Sequence, residues 1–256
     1  MEFDFNQFIN FTNIIKKIIL PIIRIISFFL IVPIFGDNIL SKKIKIILSI
    51  LIGISISPIL PEFNNEVSFY EFFFLSIQQI IIGLFFGFII RIIFSIPILS
   101  GEIISSQIGL SFANFFDLKT NINISIISRI LNLFNMYIFL LLNGDLWLVY
   151  IICYSFNKFP IGTFLNKNDI YLNMILFFNI IFLKSLLLIF PIVIIMLSIN
   201  FILAILNRIS PQISIFSVFF PITVLIGLYS FYIFLPYFNN SFTKIFIKYL
   251  FLNIEF

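Results

Sequence analysis

A chain of 256 residues that is 61% hydrophobic and only 10% charged cannot clothe a soluble globule, because soluble domains carry about 25% charged residues. Its net charge of +4 is scattered over the ends of apolar segments, which argues for anchoring at lipid headgroups and against nucleic-acid binding. With no histidine and one cysteine, Cys153, the commonest metal ligand and general base is missing, and neither an intramolecular disulfide nor a cysteine metal cluster can form.

The apolar runs are continuous rather than alternating, so they read as helices and not as an outer-membrane barrel. The expected fold is an all-α integral membrane protein of about six hydrophobic helical segments, with 1–256 a single membrane domain and no soluble domain. The start, with Glu2 and Asp4 and no small-residue cleavage site, does not read as a cleavable signal peptide. The first segment covers 14–35, with breaks expected at Pro21 and Pro33. The second covers 44–60 and leads into an acidic turn with Pro61, Glu62 and Glu66. Lys42, Lys43 and Lys45 at its start form the densest basic cluster, which places the turn they occupy on the cytoplasmic side and the acidic turn outside. The third segment covers 72–99, with polar helix expected to continue to Ser111. The fourth covers 126–142, breaks at Asn143-Gly144-Asp145, and resumes over 146–156. A loop with Pro160 and Gly162 follows. The fifth, 171–206, is too long for a simple span, and a kink is expected near Pro191. The sixth covers 213–235, and a short amphipathic tail carries Lys244 and Lys248.

No catalytic constellation can be assembled from these residues. Glu102, Asp117 and Asp145 are far apart in sequence, no acidic motif or glycine-rich phosphate loop is present, and no enzyme activity, cofactor or metal is expected. The stretch from Gly101 to Asp117 is the longest with polar and small residues at apparent membrane depth. As a helix it would place Glu102, Ser105, Ser106, Gly109 and Ala113 on one face, suited to close packing or to lining a wet passage. Phe112, Phe115 and Phe116 close the stretch, and bulky rings there could fill a pore and exclude water. The plainer reading is a polar loop between two spans with interfacial aromatics, and the residues alone favour it. Gly83 and Gly87 form a small-xxx-small pair that lets two helices approach, within the chain or with a partner. Lys184, deep in the fifth segment, needs a partner, water or a helix end.

Several strings, taken in order, resemble the FliR family of type III export apparatus membrane subunits. They are Arg24-Ile25-Ile26-Ser27 through Pro33-Ile34-Phe35-Gly36; Gly101-Glu102-Ile103-Ile104 through Gly109-Leu110-Ser111-Phe112-Ala113 to Asp117; Ser128-Arg129-Ile130-Leu131-Asn132, continuing to Asn143-Gly144-Asp145-Leu146-Trp147; Phe159-Pro160-Ile161-Gly162; and Leu206-Asn207-Arg208-Ile209-Ser210-Pro211-Gln212, followed by Phe220-Pro221-Ile222-Thr223 and Gly227. The family usually has histidine where this chain has Asp145. The resemblance implies a non-enzymatic subunit of the flagellar protein export gate, a multi-pass protein of the bacterial inner membrane in the flagellar basal body. It implies assembly with FliP-like and FliQ-like subunits around a channel for unfolded export substrates, alongside FlhA-like and FlhB-like subunits. Some hydrophobic helices would then pack as hairpins on partner subunits rather than cross lipid. Gly109, Leu110, Ser111, Phe112, Phe115 and Phe116 would correspond to a channel plug, with Glu102 and Gln107 at its base and Gly83 and Gly87 in helix packing. The alternatives are the equivalent subunit of a virulence injectisome and a small-molecule transporter. The latter predicts an internal repeat and a midplane polar site, and the sequence displays neither.

Overall fold

The structure, a computed structural model, describes residues 5–33, 41–58, 60, 69–110, 114–117, 122–162, 169–209 and 220–247. In chain order the elements are α1 (Phe5–Ile31), α2 (Lys42–Ile56), α3 (Phe69–Ile108), β1 (Asn114–Asp117), β2 (Ile122–Ser125), α4 (Ile126–Leu141), α5 (Gly144–Lys158), α6 (Asp169–Ile209) and α7 (Phe220–Phe246). The fold is that of an all-α membrane protein interrupted by one short antiparallel hairpin, in which Asn114 faces Ser125 and Asp117 faces Ile122.

The helices run through their prolines. Pro21, Pro97, Pro191 and Pro236 all lie inside helices. In apolar surroundings a broken helix would expose unpaired backbone groups, which costs more than one missing N–H. The expected break at Pro21 is therefore absent, and α1 ends at Ile31, before Pro33. Likewise α6 is one continuous helix through Pro191, and α7 continues past Pro236 to Phe246. Serine hydroxyls are absorbed by bonding back along the helix, as in Ser49 to the Lys45 carbonyl (2.7 Å) and Ser100 to the Ile96 carbonyl (2.8 Å).

Among the described residues three helices are long and apolar enough to cross a membrane, within Tyr70–Ile108, Phe182–Ile209 and Phe220–Phe246, and the bent pair α4 and α5 could form a fourth span. The pair breaks at Asn143, which takes a φ of 53°. α2, with 15 residues, reaches only about 22 Å, short of the ~30 Å hydrocarbon core. α3 and α6, with 40 and 41 residues, extend to about 60 Å, twice what one crossing needs. The most apolar stretch of α3 is 67% buried, against 22% and 17% for those of α6 and α7; α3 is thus the core helix, and α6 and α7 present their apolar surface outward.

The chain forms two compact units. The first holds α1, α2, α3 as far as Arg91, α5 from Asp145, and α6 as far as Ile175. α2 lies on α1, where Gly53 faces Ile22. Leu20, Ile25, Phe28, Phe29, Ile82, Phe85, Ile151 and Phe156 are buried in it. The second holds α3 from Ile92, the hairpin, α4, α6 from Leu176, and α7. Its core is a cluster of rings, with Phe94 5.2 Å from Phe139 and 5.7 Å from Phe246, and Phe242 5.4 Å from Phe246; edge-to-face contacts of this kind stabilise beyond their buried area. Of the basic cluster at the start of α2, Lys42 and Lys43 are exposed but Lys45 is buried.

Candidate functional site

The polar stretch that begins at Gly101 does not form one helical face. α3 ends at Ile108 because Gly109 adopts φ +89°, a left-handed conformation that glycine takes without strain. The helical face therefore stops short of Ala113, which lies with Ser111 and Phe112 outside the described residues. Within it, Gly101 and Ser105 are buried, Glu102 and Gln107 half-buried, and Ser106 exposed. Leu110 is half-buried in the turn after the helix, and Phe115 and Phe116 lie on β1, paired with Ile124 and Asn123.

The foot of β2 is held by a dense set of hydrogen bonds. Ser125 donates its backbone N–H to Glu102 Oε1 at 2.9 Å. The same serine caps α4, with its Oγ accepting from the Ser128 N–H at 3.3 Å and donating to Ser128 Oγ at 2.8 Å. Ser128 Oγ in turn donates to the Ile98 carbonyl on α3 at 2.9 Å. Contact between the two helices is closed by Gly101, where an added Cβ would stand 2.3 Å from Ser128 Cα. The Glu102 carboxylate thus sits at the N-terminus of α4, where the helix dipole favours negative charge. On the other side of the hairpin, Gly109 faces the Phe220 ring and Ile108 fills the space opposite Gly227 of α7.

A second polar constellation lies in the first unit. Arg24 of α1 is 1% exposed. It donates Nε to Gln79 Oε1 at 2.7 Å, Nη1 to the Ser155 carbonyl at 3.0 Å and Oγ at 3.3 Å, and Nη2 to the Phe159 carbonyl at 3.0 Å. The guanidinium also rests 4.0 Å from the centre of the Phe156 ring. All of these partners are neutral, but the two carbonyls form the C-terminal end of α5, the negative pole of that helix. Close approach of α1 and α3 makes the reach possible: Gly83 faces Ser27 and the Arg24 carbonyl, and Gly87 faces the Phe28 carbonyl and Ile31. Sequence reasoning places Arg24 only within a family string. The available signal was an arginine in the middle of an apolar run, which requires a buried partner, together with the adjacent glutamines Gln78 and Gln79, both buried.

Among the described residues no group of three or more His, Cys, Asp or Glu side chains could hold a metal ion. Lys184 is half-buried on α6.

Residues 15–249 match the family model for bacterial export proteins, family 1. The chain is 44% identical over 225 residues to the flagellar biosynthetic protein FliR of Buchnera aphidicola subsp. Acyrthosiphon pisum, covering 88% of this chain and 87% of the relative. It is 35% identical over 210 residues to the Escherichia coli K12 protein of the same name, covering 81% and 80%. It is 25% identical over 213 residues to the surface presentation of antigens protein SpaR of Shigella flexneri, covering 82% and 81%.

Proposed function

The chain belongs to the bacterial export proteins, family 1, and from that premise we propose a subunit of the flagellar type III protein export apparatus that lines a gate for unfolded flagellar proteins. The observation that carries this reading is similarity to flagellar FliR proteins at 35–44% identity over four-fifths or more of the chain. The more distant similarity to SpaR keeps an injectisome subunit as the second reading, and its lower identity places it second.

In the finer reading the protein sits in the bacterial inner membrane as a non-enzymatic part of the flagellar basal body. FliP-like and FliQ-like subunits join it in the channel, and FlhA-like and FlhB-like subunits act beside it. The geometry agrees with such a role in two respects. α3 and α6 are too long for one bilayer crossing, and α6 and α7 expose rows of large apolar side chains, among them Leu183, Leu187, Phe190, Phe201, Leu225 and Tyr229. Protein neighbours as well as lipid can cover such surfaces. The hairpin between α3 and α4 is the one described element that does not satisfy the helical pattern, and we assign the plug to it. Gly109 and Leu110 lead out of α3, Phe115 and Phe116 supply rings on β1, and Ser111 and Phe112 belong to the same assignment from sequence. A seal made of ring packing must open at a cost of a few kcal/mol, so that engaged substrate can shift the balance.

Affinity purification of the tagged protein in mild detergent tests the assembly. Recovery of FliP-like and FliQ-like proteins with flagellar gate subunits is the expected result. Needle-complex proteins in their place would establish the injectisome reading, and a monodisperse protein with none of them would overturn both.

A further inference from the structure

We propose that Glu102 is the positioning residue that anchors the hairpin, holding its second strand in place through the Ser125 N–H; this rests on the assignment of the hairpin as the plug. Four observations converge on the one junction. Glu102 Oε1 accepts from the Ser125 backbone at 2.9 Å. Ser125 is the last residue of β2 and caps α4 through its own side chain. Ser128, one turn into α4, is tied to the Ile98 carbonyl of α3 at 2.9 Å. Gly101 leaves no room between α3 and α4 for even a methyl group.

The physical consequence is an asymmetric mounting. At its β2 end the hairpin is joined without a linker to a capped helix, and that helix is tied to α3 by Ser128 Oγ on the Ile98 carbonyl and by the close approach at Gly101. The other end leaves α3 through Gly109, at a positive φ. At its β2 end the hairpin is therefore held at Ser125, and among the described residues the charged group whose bond holds it there is Glu102. A hydrogen bond from a backbone N–H to a carboxylate is about twice as strong as one between neutral groups, and here the acceptor also faces the positive end of α4. The serines alone would fix α4 on α3; Glu102 is what fixes the strand. Its role is thus separable from the fold of the α3–α4 pair, which keeps its bond through Ser128 and its close approach at Gly101 when the carboxylate is removed.

The test uses the full chain in its native membrane assembly and reads passive leak of small ions with no export substrate present. Three variants are compared: Glu102→Ala, Glu102→Gln, and a chain whose residues 115–123 are replaced by a short glycine-serine linker. Glu102→Ala is expected to raise the leak about tenfold, the loss of one charge-assisted hydrogen bond, with co-purified partners undiminished. Glu102→Gln keeps an acceptor at the same place and is expected to restore most of the barrier. If Glu102→Ala assembles normally and stays as tight as the parent while the linker variant leaks, the anchor is refuted and the plug stands. Equal leak in Glu102→Gln and Glu102→Ala also refutes it, because the bond would not be what holds. If the linker variant itself remains tight, the plug assignment fails instead.

Discussion

Replacing Arg24 by lysine keeps the charge and removes the fork, and the first unit should lose much of its stability as a result. The guanidinium makes four hydrogen bonds in three directions, to Gln79 on α3, to Ser155 on α5 and to Phe159 just beyond it. An ammonium is a point donor and cannot span the side of α3 and the end of α5 together. It can serve the α5 carbonyls or Gln79, and about two charge-assisted bonds are lost, each worth about 1.5–3 kcal/mol. The Ser155 carbonyl retains the Phe159 N–H at 3.0 Å, which softens the loss there. An expected cost of about 3–5 kcal/mol lowers the melting temperature by about 10 °C at this chain length. The single tryptophan, Trp147, lies on α5 in the same unit, so its fluorescence in detergent reports the melt directly. Arg24→Met and Gln79→Leu, made singly and together, should be non-additive by 1 kcal/mol or more, on the order seen for groups in one hydrogen-bond network. An Arg24→Lys protein that melts within about 2 °C of the parent, or strict additivity of the other pair, would refute the account.

Other substitutions test the packing. Gly83→Ala places a methyl 1.9 Å from Ser27 Oγ and 2.3 Å from the Arg24 carbonyl; it should destabilise by about 1–3 kcal/mol, and Ser27→Gly should not rescue it, because the backbone oxygen remains. Gly227→Ala meets three side-chain atoms of Ile108, the nearest at 2.5 Å, so Ile108→Ala should relieve it, measured as recovery of thermal stability in the double variant. Asn135 is wholly buried, and neither amide atom has a hydrogen-bond partner among the described residues. Asn135→Leu should therefore raise the melting temperature of the isolated chain by about 2–8 °C, the return on removing an unpaired buried amide; a fall would show that the amide is satisfied.

Helix positions were largely legible in the sequence, because continuous apolarity in lipid leaves the backbone few other choices. The break at Asn143, the resumption of helix after it and the loop at Pro160 could be read from local residues alone. Where sequence reasoning erred, it treated prolines by the rules of water. Pro21 reads as a break and the sixth segment as ending at Leu235, yet α1 and α7 pass through Pro21 and Pro236, since the cost of one missing bond is small beside that of an exposed backbone.

What the sequence by itself determined was the solvent and the helical class, both of which follow from composition. Its ordered strings also carried the family. The tertiary structure alone decided that residues 114–125 contain a hairpin, that Glu102 reaches Ser125, 23 positions away, and that Arg24 closes on Ser155, 131 positions away. Such bonds depend on how closely helices approach at Gly83, Gly87 and Gly101. Local sequence marks each glycine but does not say which helix arrives opposite it, because many apolar faces in this chain are interchangeable and only their packing selects the partner.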